Sequence, residues 1–333
     1  MKVLIAGGAG FIGSTVASAC LDAGLTPVIL DNLITGRAEF ARDRIFYHGD
    51  IADGPLIDKI FAEHPDIEAA VHAAALIVVP ESVEQPLRYY RENVAKSIDF
   101  VEHLVRNGCG KLLFSSSASI YRPGEDFSVD ESSPLAPLSP YARTKALTEA
   151  ILSDTARAYD LRVVSLRYFN PVGADPAMRT GLQVRQPTHV LGKMILAAEN
   201  DETFTVTGTD WPTRDGSGIR DYIHVWDLAL AHVQALRRFE RVLPADGDER
   251  YAVVNVGTGT GITVRELLDA FEEVLGRPIR TVEAGRRPGD SPGCYARTER
   301  AAELLDWRPT LSVVDGIRHS LRWSQLRDSV LDD

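Results

Sequence analysis

A short apolar run, Val3–Ala6, is followed at once by Gly7, Gly8, Gly10 and Gly13, and then by an amphipathic stretch, Ile12–Ala23. No other feature limits the possible folds as sharply. A strand that enters a helix through a turn of small residues brings backbone N–H groups and a helix N-terminus against an incoming anion. Gly8, Gly10 and Gly13 fit the dinucleotide fingerprint, and Gly7, Gly10 and Gly13 fit a related form with three-residue spacing. Side chains at these positions would keep a pyrophosphate away from the backbone.

The rest of the first half agrees. Val28–Leu30, Ala69–Ala73, Lys111–Ser115 and Val163–Arg167 are short apolar runs suited to strands buried on both faces. Helical patterns separate several of them. Pro86–Arg106 is read as one helix stopped at Gly108, with Leu87, Tyr90, Val94, Ile98, Val101 and Leu104 three or four apart on one face. Strand alternating with helix predicts an α/β Rossmann fold, a doubly wound parallel sheet. After Asn170 the alternation stops, and residues 171–220 are rich in Pro, Gly and Thr, with one helical stretch near Val190–Ala198. Strand and helix signals return at Arg220–Leu236 and Val253–Val256. Thr263 and Glu266 form a capping box ahead of Arg265–Leu275. The expected organisation is a dinucleotide domain over 1–175, with segments near 221–257 returning to it, and a smaller C-terminal α/β substrate domain over 176–333.

Composition excludes several classes. The 333 residues carry 47 acidic against 36 basic side chains, a net charge of −11, which disfavours nucleic-acid partners. No apolar run approaches a membrane span of ~18 residues, and the N-terminus lacks the long apolar core of a secretory signal. Cys20, Cys109 and Cys294 form no close pair, and no histidine spacing suggests a metal site. A reducing cytoplasm is the expected compartment.

Asp31 ends the second strand, 18 residues after Gly13. A carboxylate there accepts the two ribose hydroxyls of adenosine and repels a 2′-phosphate, which favours NAD over NADP. Asn32 continues this turn, and Asp50-Ile51 follows the next strand, a position that suits either a contact to the adenine or a plain loop. Tyr141 and Lys145 follow Ser139-Pro140, a good helix start, and their spacing of four puts them on one helical face. A tyrosine is a poor base unaided, with an ordinary pKa near 10, and a neighbouring ammonium stabilises its phenolate. Ser115, Ser116 and Ser117 end a predicted strand, at the sheet edge where open α/β sheets bind ligands.

These runs resemble the extended short-chain dehydrogenase/reductase family, specifically its UDP-glucose 4-epimerase-like branch. The likeness extends through Arg167–Ala174, Arg220–Val225 and Arg286–Asp290, runs more specific to nucleotide-sugar epimerases than the cofactor motifs are. The resemblance implies NAD held by Gly7, Gly10, Phe11, Ile12, Gly13, Asp31, Asn32, Asp50, Ile51, Ala73, Ala75, Asn93, Ser115, Tyr141, Lys145 and Tyr168. It implies Tyr141 as acid/base, Lys145 as its tuning cation and Ser117 as the contact to the sugar O4. Asn170, Arg220 and Arg287 would meet the diphosphate, Asp290 a ribose, and His189, Val190, Thr205, Thr207 and Cys294 other parts of a UDP-sugar. Phe169, Tyr222 and Ile223 are expected in the core. The implied reaction is transient oxidation at C4 and return of the hydride to the opposite face, so that NAD ends as it began.

The chain departs from this branch at several positions. Ile77 stands where a lysine near the cofactor is common, Arg122 follows Tyr121 where glycine is usual, and Thr188-His189-Val190 replaces an Asn-Asn-Leu-like run. Thr207 stands where an aromatic meets the base. Cys294 stands where some members have tyrosine, which leaves room for an N-acetyl group, so UDP-GlcNAc/UDP-GalNAc join UDP-glucose/UDP-galactose as expected substrates. Dehydratases of this group carry an acidic pair beside the site serine, where this chain has Ala118 and Ser119. A ketoreductase often needs NADPH, which Asp31 disfavours. A uronic-acid epimerase is compatible with the same motifs, and a non-catalytic NAD-binding regulatory protein would have no need of Tyr141, Lys145 and Ser117 together. The family's dimer would pair Pro86–Arg106 and Tyr141–Tyr159 of two subunits as a four-helix bundle, making a homodimer.

Overall fold

In the computed structural model, which describes residues 1–286 and 290–331, a seven-stranded sheet forms the centre. Its strands are β1 (Lys2–Ala6), β2 (Thr26–Asp31), β3 (Ile45–His48), β4 (Ile67–His72), β5 (Lys111–Ser117), β6 (Arg162–Tyr168) and β7 (Tyr251–Val256). They lie in the order β7-β6-β5-β4-β1-β2-β3, and every neighbouring pair is parallel. The order reverses beside β1, which is where a doubly wound sheet opens a crevice at its strand C-termini.

The apolar runs read as doubly buried because they are. Val3, Ile5, Ile29, Val71, Leu113 and Val164 face one layer of helices, while Leu4, Ala6, Val28, Leu30, Ala70, Leu112 and Phe114 face the other. The flanking helices used below are α1 (Phe11–Asp22), α2 (Lys96–Arg106), α3 (Pro140–Ala158), α4 (Val190–Asn200), α5 (Val225–Arg237), α6 (Val264–Leu275) and α7 (Val313–Val330). A third core, built on Leu191, Met194, Phe204, Val206, Tyr222, Leu267, Phe271 and Ile317, joins α4, α6 and α7 to two short strand pairs. One of these pairs Phe204–Thr207 with Thr281–Ala284, and another pairs Asn170–Val172 with Tyr222–His224. Phe169, Tyr222 and Ile223 are buried.

The stretch 86–106 differs from the single helix expected. It runs as Pro86–Tyr90, a π-helical turn at Arg91–Ala95, and α2. The extra residue in the π turn rotates the buried row, so Tyr89, Asn93, Ser97 and Phe100 point inward, while Leu87 and Ile98 are exposed. Asn93 sits in that turn, where its side chain bonds Leu76 N and Leu76 O at 2.8 and 2.9 Å. Helix α7 has no counterpart among the sequence expectations. Its first turn is closed by a reciprocal Ser312–Asp315 capping box, with aspartate in the place usually taken by glutamate or glutamine.

His72, His224 and His232 are held neutral inside the fold. His72 packs between Phe100 and Phe114, His232 lies against the central sheet, and His224 caps α5. His224 Nδ1 accepts from Trp226 N, so its Nε2–H donates to His319 Nδ1 of α7 at 2.9 Å. Burial pushes His72 down to about 3, and His224 and His232 to about 4. These residues protonate freely only when unfolded. Their contribution to stability is complete above about pH 6.5 and falls as the pH drops toward 4, by on the order of 1–3 kcal/mol per imidazole. Denaturant unfolding at pH 7 and pH 5 checks this: the midpoint is expected to fall at pH 5, and an unchanged midpoint contradicts it.

Candidate active site

The glycine turn is set by contact distances. Gly7 has φ +79°, and a Cβ there would lie 2.6 Å from Ala74 N. A Cβ on Gly13 would lie 2.1 Å from Gly7 O. The loop therefore closes against α1 only with glycine at both positions. Gly10 is the N-cap of α1 and makes no side-chain capping bond, so the first turn keeps backbone donors for a ligand. Phe11 and Ile12 open that helix. This cradle, with a carboxylate at the next strand end, fits a dinucleotide.

Asp31 is that carboxylate, buried at the end of β2. It accepts from Ala9 N at 2.9 Å and Leu33 N at 2.8 Å. Burial raises its pKa, and the two backbone bonds work against the rise. Asn32 reaches Asp50 at 3.0 Å, as Lys96 Nζ does at 2.7 Å. Burial raises the Asp50 carboxyl, but hydrogen bonds from Lys96, Ala52 N and Asn32 together outweigh it and the net shift is downward. No motif marks Lys96 in the sequence. Ile51 is buried beside them. Ala73 bonds back to Ala6 O, and Ala75 lies just before Leu76, the residue clasped by Asn93. Asn93 also reaches Thr144 of α3 at 3.2 Å, so its side chain ties the 73–76 loop to α3.

Helix α3 begins where the sequence indicates, with Ser139 accepting from Ala142 N and proline in the first turn. Tyr141 and Lys145 face β5 and are buried. Burial raises the Tyr141 pKa, and a hydrogen bond with Ser117 pulls it back. Lys145 Nζ donates to Ser115 O at 2.8 Å and lies 4.9 Å from the centre of the Phe114 ring. Burial pushes its ammonium down to about 8. The register between β5 and β6 pairs Ser117 with Tyr168. Tyr168 lies near Ser115 and Tyr141, and burial first, then the neighbouring Tyr141, raises its pKa. Ser117, Tyr141, Lys145, Ser115 and Tyr168 thus meet at one sheet edge.

The residues expected to bind the rest of a nucleotide sugar come from the third core. Asn170 is half-buried on a strand paired with Tyr222–His224. Arg220 donates to Ile219 O, Pro292 O and Ser291 O, all within 3.2 Å. These backbone partners have no sequence signal: the guanidinium clamps the segment that carries Cys294. The Cys294 thiol lies 4.0 Å from Ala118 O, next to Ser117, and burial pushes it up to about 11. Neighbouring Asp221 is fully buried and accepts from Thr258, Gly259 and Ala296 backbone N–H groups, which fixes the loop after β7.

His189 is the N-cap of α4, accepting from Gly192 N at 3.2 Å, and burial pushes it down to about 4, so it is a neutral acceptor at pH 7. Val190 follows it in α4. Thr205 and Thr207 face away from the core side chains Phe204 and Val206, with Thr205 exposed and Thr207 half-buried. Beyond them, the Arg286 guanidinium stacks 3.7 Å from the centre of the Trp211 ring and bonds Asp210. Arg287 lies outside the described residues; Asp290 is half-buried. Ile77 is exposed. Among the described residues no cluster of three His, Cys, Asp or Glu side chains could hold a metal ion, and no helix is long and apolar enough to cross a membrane.

A family model described as the NAD dependent epimerase/dehydratase family matches residues 3–257. The chain belongs to that family. It is 42% identical to a UDP-glucose 4-epimerase of Azospirillum brasilense over 327 residues, covering 97% of this chain and 92% of the relative. The UDP-glucose 4-epimerase of Stenotrophomonas maltophila, solved with bound NAD and formylated UDP-arabinopyranose, superposes with a TM-score of 0.92 at 34% identity and 99% coverage of both chains. A UDP-Glc/GlcNAc 4-epimerase from Campylobacter jejuni superposes with a TM-score of 0.80 at 32% identity, covering 97% of this chain and 99% of its own. The family's fold and its NAD dependence are accordingly those of this chain.

The glycine geometry generates a paired test. Gly13→Ala is expected to destabilise the fold by about 1–3 kcal/mol, because the turn must open. Gly10→Ala should lower the unfolding midpoint less, since the nearest heavy atom to a Cβ there is 3.5 Å away and only the weaker N-cap preference of alanine counts against it. Equal midpoints for the two variants would contradict this packing.

Proposed function

We propose that the protein is a nucleotide-sugar 4-epimerase that interconverts UDP-glucose and UDP-galactose through a transient 4-keto sugar. The observation that carries the reading is the convergence of Tyr141, Lys145 and Ser117 at the C-terminal edge of the sheet, beside the Gly7–Gly13 turn. NAD would lie along that turn, with Asp31 at its adenosine ribose and Lys145 at the other end. When bound, it supplies a reversible hydride acceptor for the sugar C4. Tyr141 takes the proton of the C4 hydroxyl and returns it, Ser117 holds O4, and the Lys145 ammonium offsets the desolvation that raises the tyrosine pKa.

Arg220 offers its remaining N–H groups to the diphosphate, with Asn170 and the α4 N-terminus at His189 and Val190 alongside. Arg287 and Asp290 would complete the nucleotide contacts, and Thr205 and Thr207 the base contacts. The small Cys294 next to Ala118 leaves room at C2, which supports turnover of UDP-GlcNAc/UDP-GalNAc as well. Exposed Leu87, Ile98 and Leu147 on the 86–106 stretch and α3 support a homodimer through those helices. We place the enzyme in the cytoplasm, with nucleotide sugars and no nucleic acid or membrane as partners.

Separation of products after incubation with UDP-glucose, UDP-GlcNAc and UDP-glucuronate tests this reading. Epimers of the first two are expected without added NAD, and Tyr141→Phe should cut kcat by about 10²–10⁴-fold with unchanged melting. No 4-epimer from any of the three would overturn the proposal. Cys294→Tyr should lower turnover of the acetylated pair at least about tenfold relative to the plain pair. If both pairs change equally, Cys294 does not control that space.

A further inference from the structure

Helix α3 carries a third side chain in register with Tyr141 and Lys145. Glu149 is again four residues on, so the three share one face, and Glu149 is buried as Lys145 is. At that depth a carboxylate needs compensation, and it receives it from β6 and β5. Arg167 Nε and Nη2 donate to its two oxygens at 2.9 and 2.6 Å, and the Ser116 hydroxyl donates at 2.5 Å. Arg167 is held from its other side. Its Nη1 donates to the Tyr121 hydroxyl at 2.8 Å, and that hydroxyl donates in turn to Asn255 of β7 at 2.7 Å. Tyr251 of β7 also faces Glu149.

When Tyr141 is deprotonated, this row alternates in charge: phenolate, ammonium, carboxylate, guanidinium. We propose that the buried Glu149–Arg167 pair is a positioning device for the reaction, in which the Glu149 carboxylate keeps the proton on Lys145. The inference rests on the assignment of Tyr141 and Lys145 above. Beyond Glu149, the Ser115 carbonyl and the Phe114 ring, the neighbours around Lys145 carry no negative charge. Around it stand Phe114 and the Ser115 carbonyl on β5, neutral His72 on β4, and Tyr141 on its own helix, with Tyr168 of β6 near Tyr141 and Ser115. Burial works against the ammonium, and Glu149 is the neighbour that works for it. Arg167 fixes where that carboxylate stands. A buried pair of this kind is weak evidence of a stabilising role, because desolvation offsets most of the attraction, so a role in setting charge explains its presence better.

Two variants test the proposal. Glu149→Gln removes the charge but leaves Arg167 buried without its partner, which can prevent folding. The double variant Glu149→Leu/Arg167→Met removes both charges at similar volume and is expected to fold. The chain has only six lysines, so Lys145 can be followed by ε-13C NMR in protein grown on labelled lysine, with Lys145→Arg to assign its signal. In a folded variant the Lys145 signal is expected to titrate about one pH unit or more below wild type, and the alkaline limb of the kcat profile to move down with it. A lysine titration and a kcat limb within ~0.3 pH units of wild type would overturn the role of Glu149. If wild type lacks epimerase activity, the site assignment fails instead, and the NMR shift still reads the coupling of Glu149 to Lys145.

Discussion

A parallel sheet puts all its strand C-termini on one edge, and in this chain that edge is the site. Gly7 leaves β1 there, Asp31 ends β2, Ala73 follows β4, Ser115–Ser117 end β5, and Tyr168 ends β6. A strand running the other way would carry its residue to the opposite edge, away from the rest. The constraint originates in side chains far from the chemistry, since the alternation of Val3, Leu4, Ile5 and Ala6 buries both faces and obliges helices to cross back between strands. The crossing helices then deliver their own first turns to the same edge, α1 with Gly10 and α3 with Tyr141.

Much of this is legible in the sequence because the requirement is local. Gly13 is readable because a Cβ there would collide with the Gly7 carbonyl six residues away, and Gly7 because its positive φ favours glycine, though the backbone its Cβ would strike is that of distant Ala73 and Ala74. Tyr141 and Lys145 are readable because the helical period alone aligns them. Glu149 continues the same period but does not stand out, since a glutamate one turn after a lysine reads as an exposed helix pair. Only its burial against Arg167 gives it meaning, and burial is a tertiary fact. The π turn at Arg91–Ala95 is hidden for a related reason. The apolar spacing suits an ordinary helix, while the demand for an extra residue comes from the Leu76 backbone, which Asn93 grips from across the site.

The second half of the chain is less readable. Arg220 reads as a cation for phosphate, yet its contacts with Pro292 and Ser291 show it also shaping the segment that brings Cys294 beside Ala118. Asp221, next to it, is a buried staple for the loop after β7 and looks in sequence like any loop aspartate. A histidine at position 189 is compatible with either charge state in sequence, and its N-cap bond and depressed pKa make it neutral. In each case the functional group is visible in the sequence, while its partners, often tens of residues away, decide what the group does.

The reaction proposed for this edge requires the cofactor to stay bound and to be restored in each turnover. The most direct measurement is the absorbance of the purified protein after mixing with UDP-glucose, with no NAD added. A reduced-nicotinamide signal that rises and then decays, with NAD recovered intact from the protein, is the expected result. Net accumulation of free NADH in step with substrate loss would contradict it and make the protein a dehydrogenase.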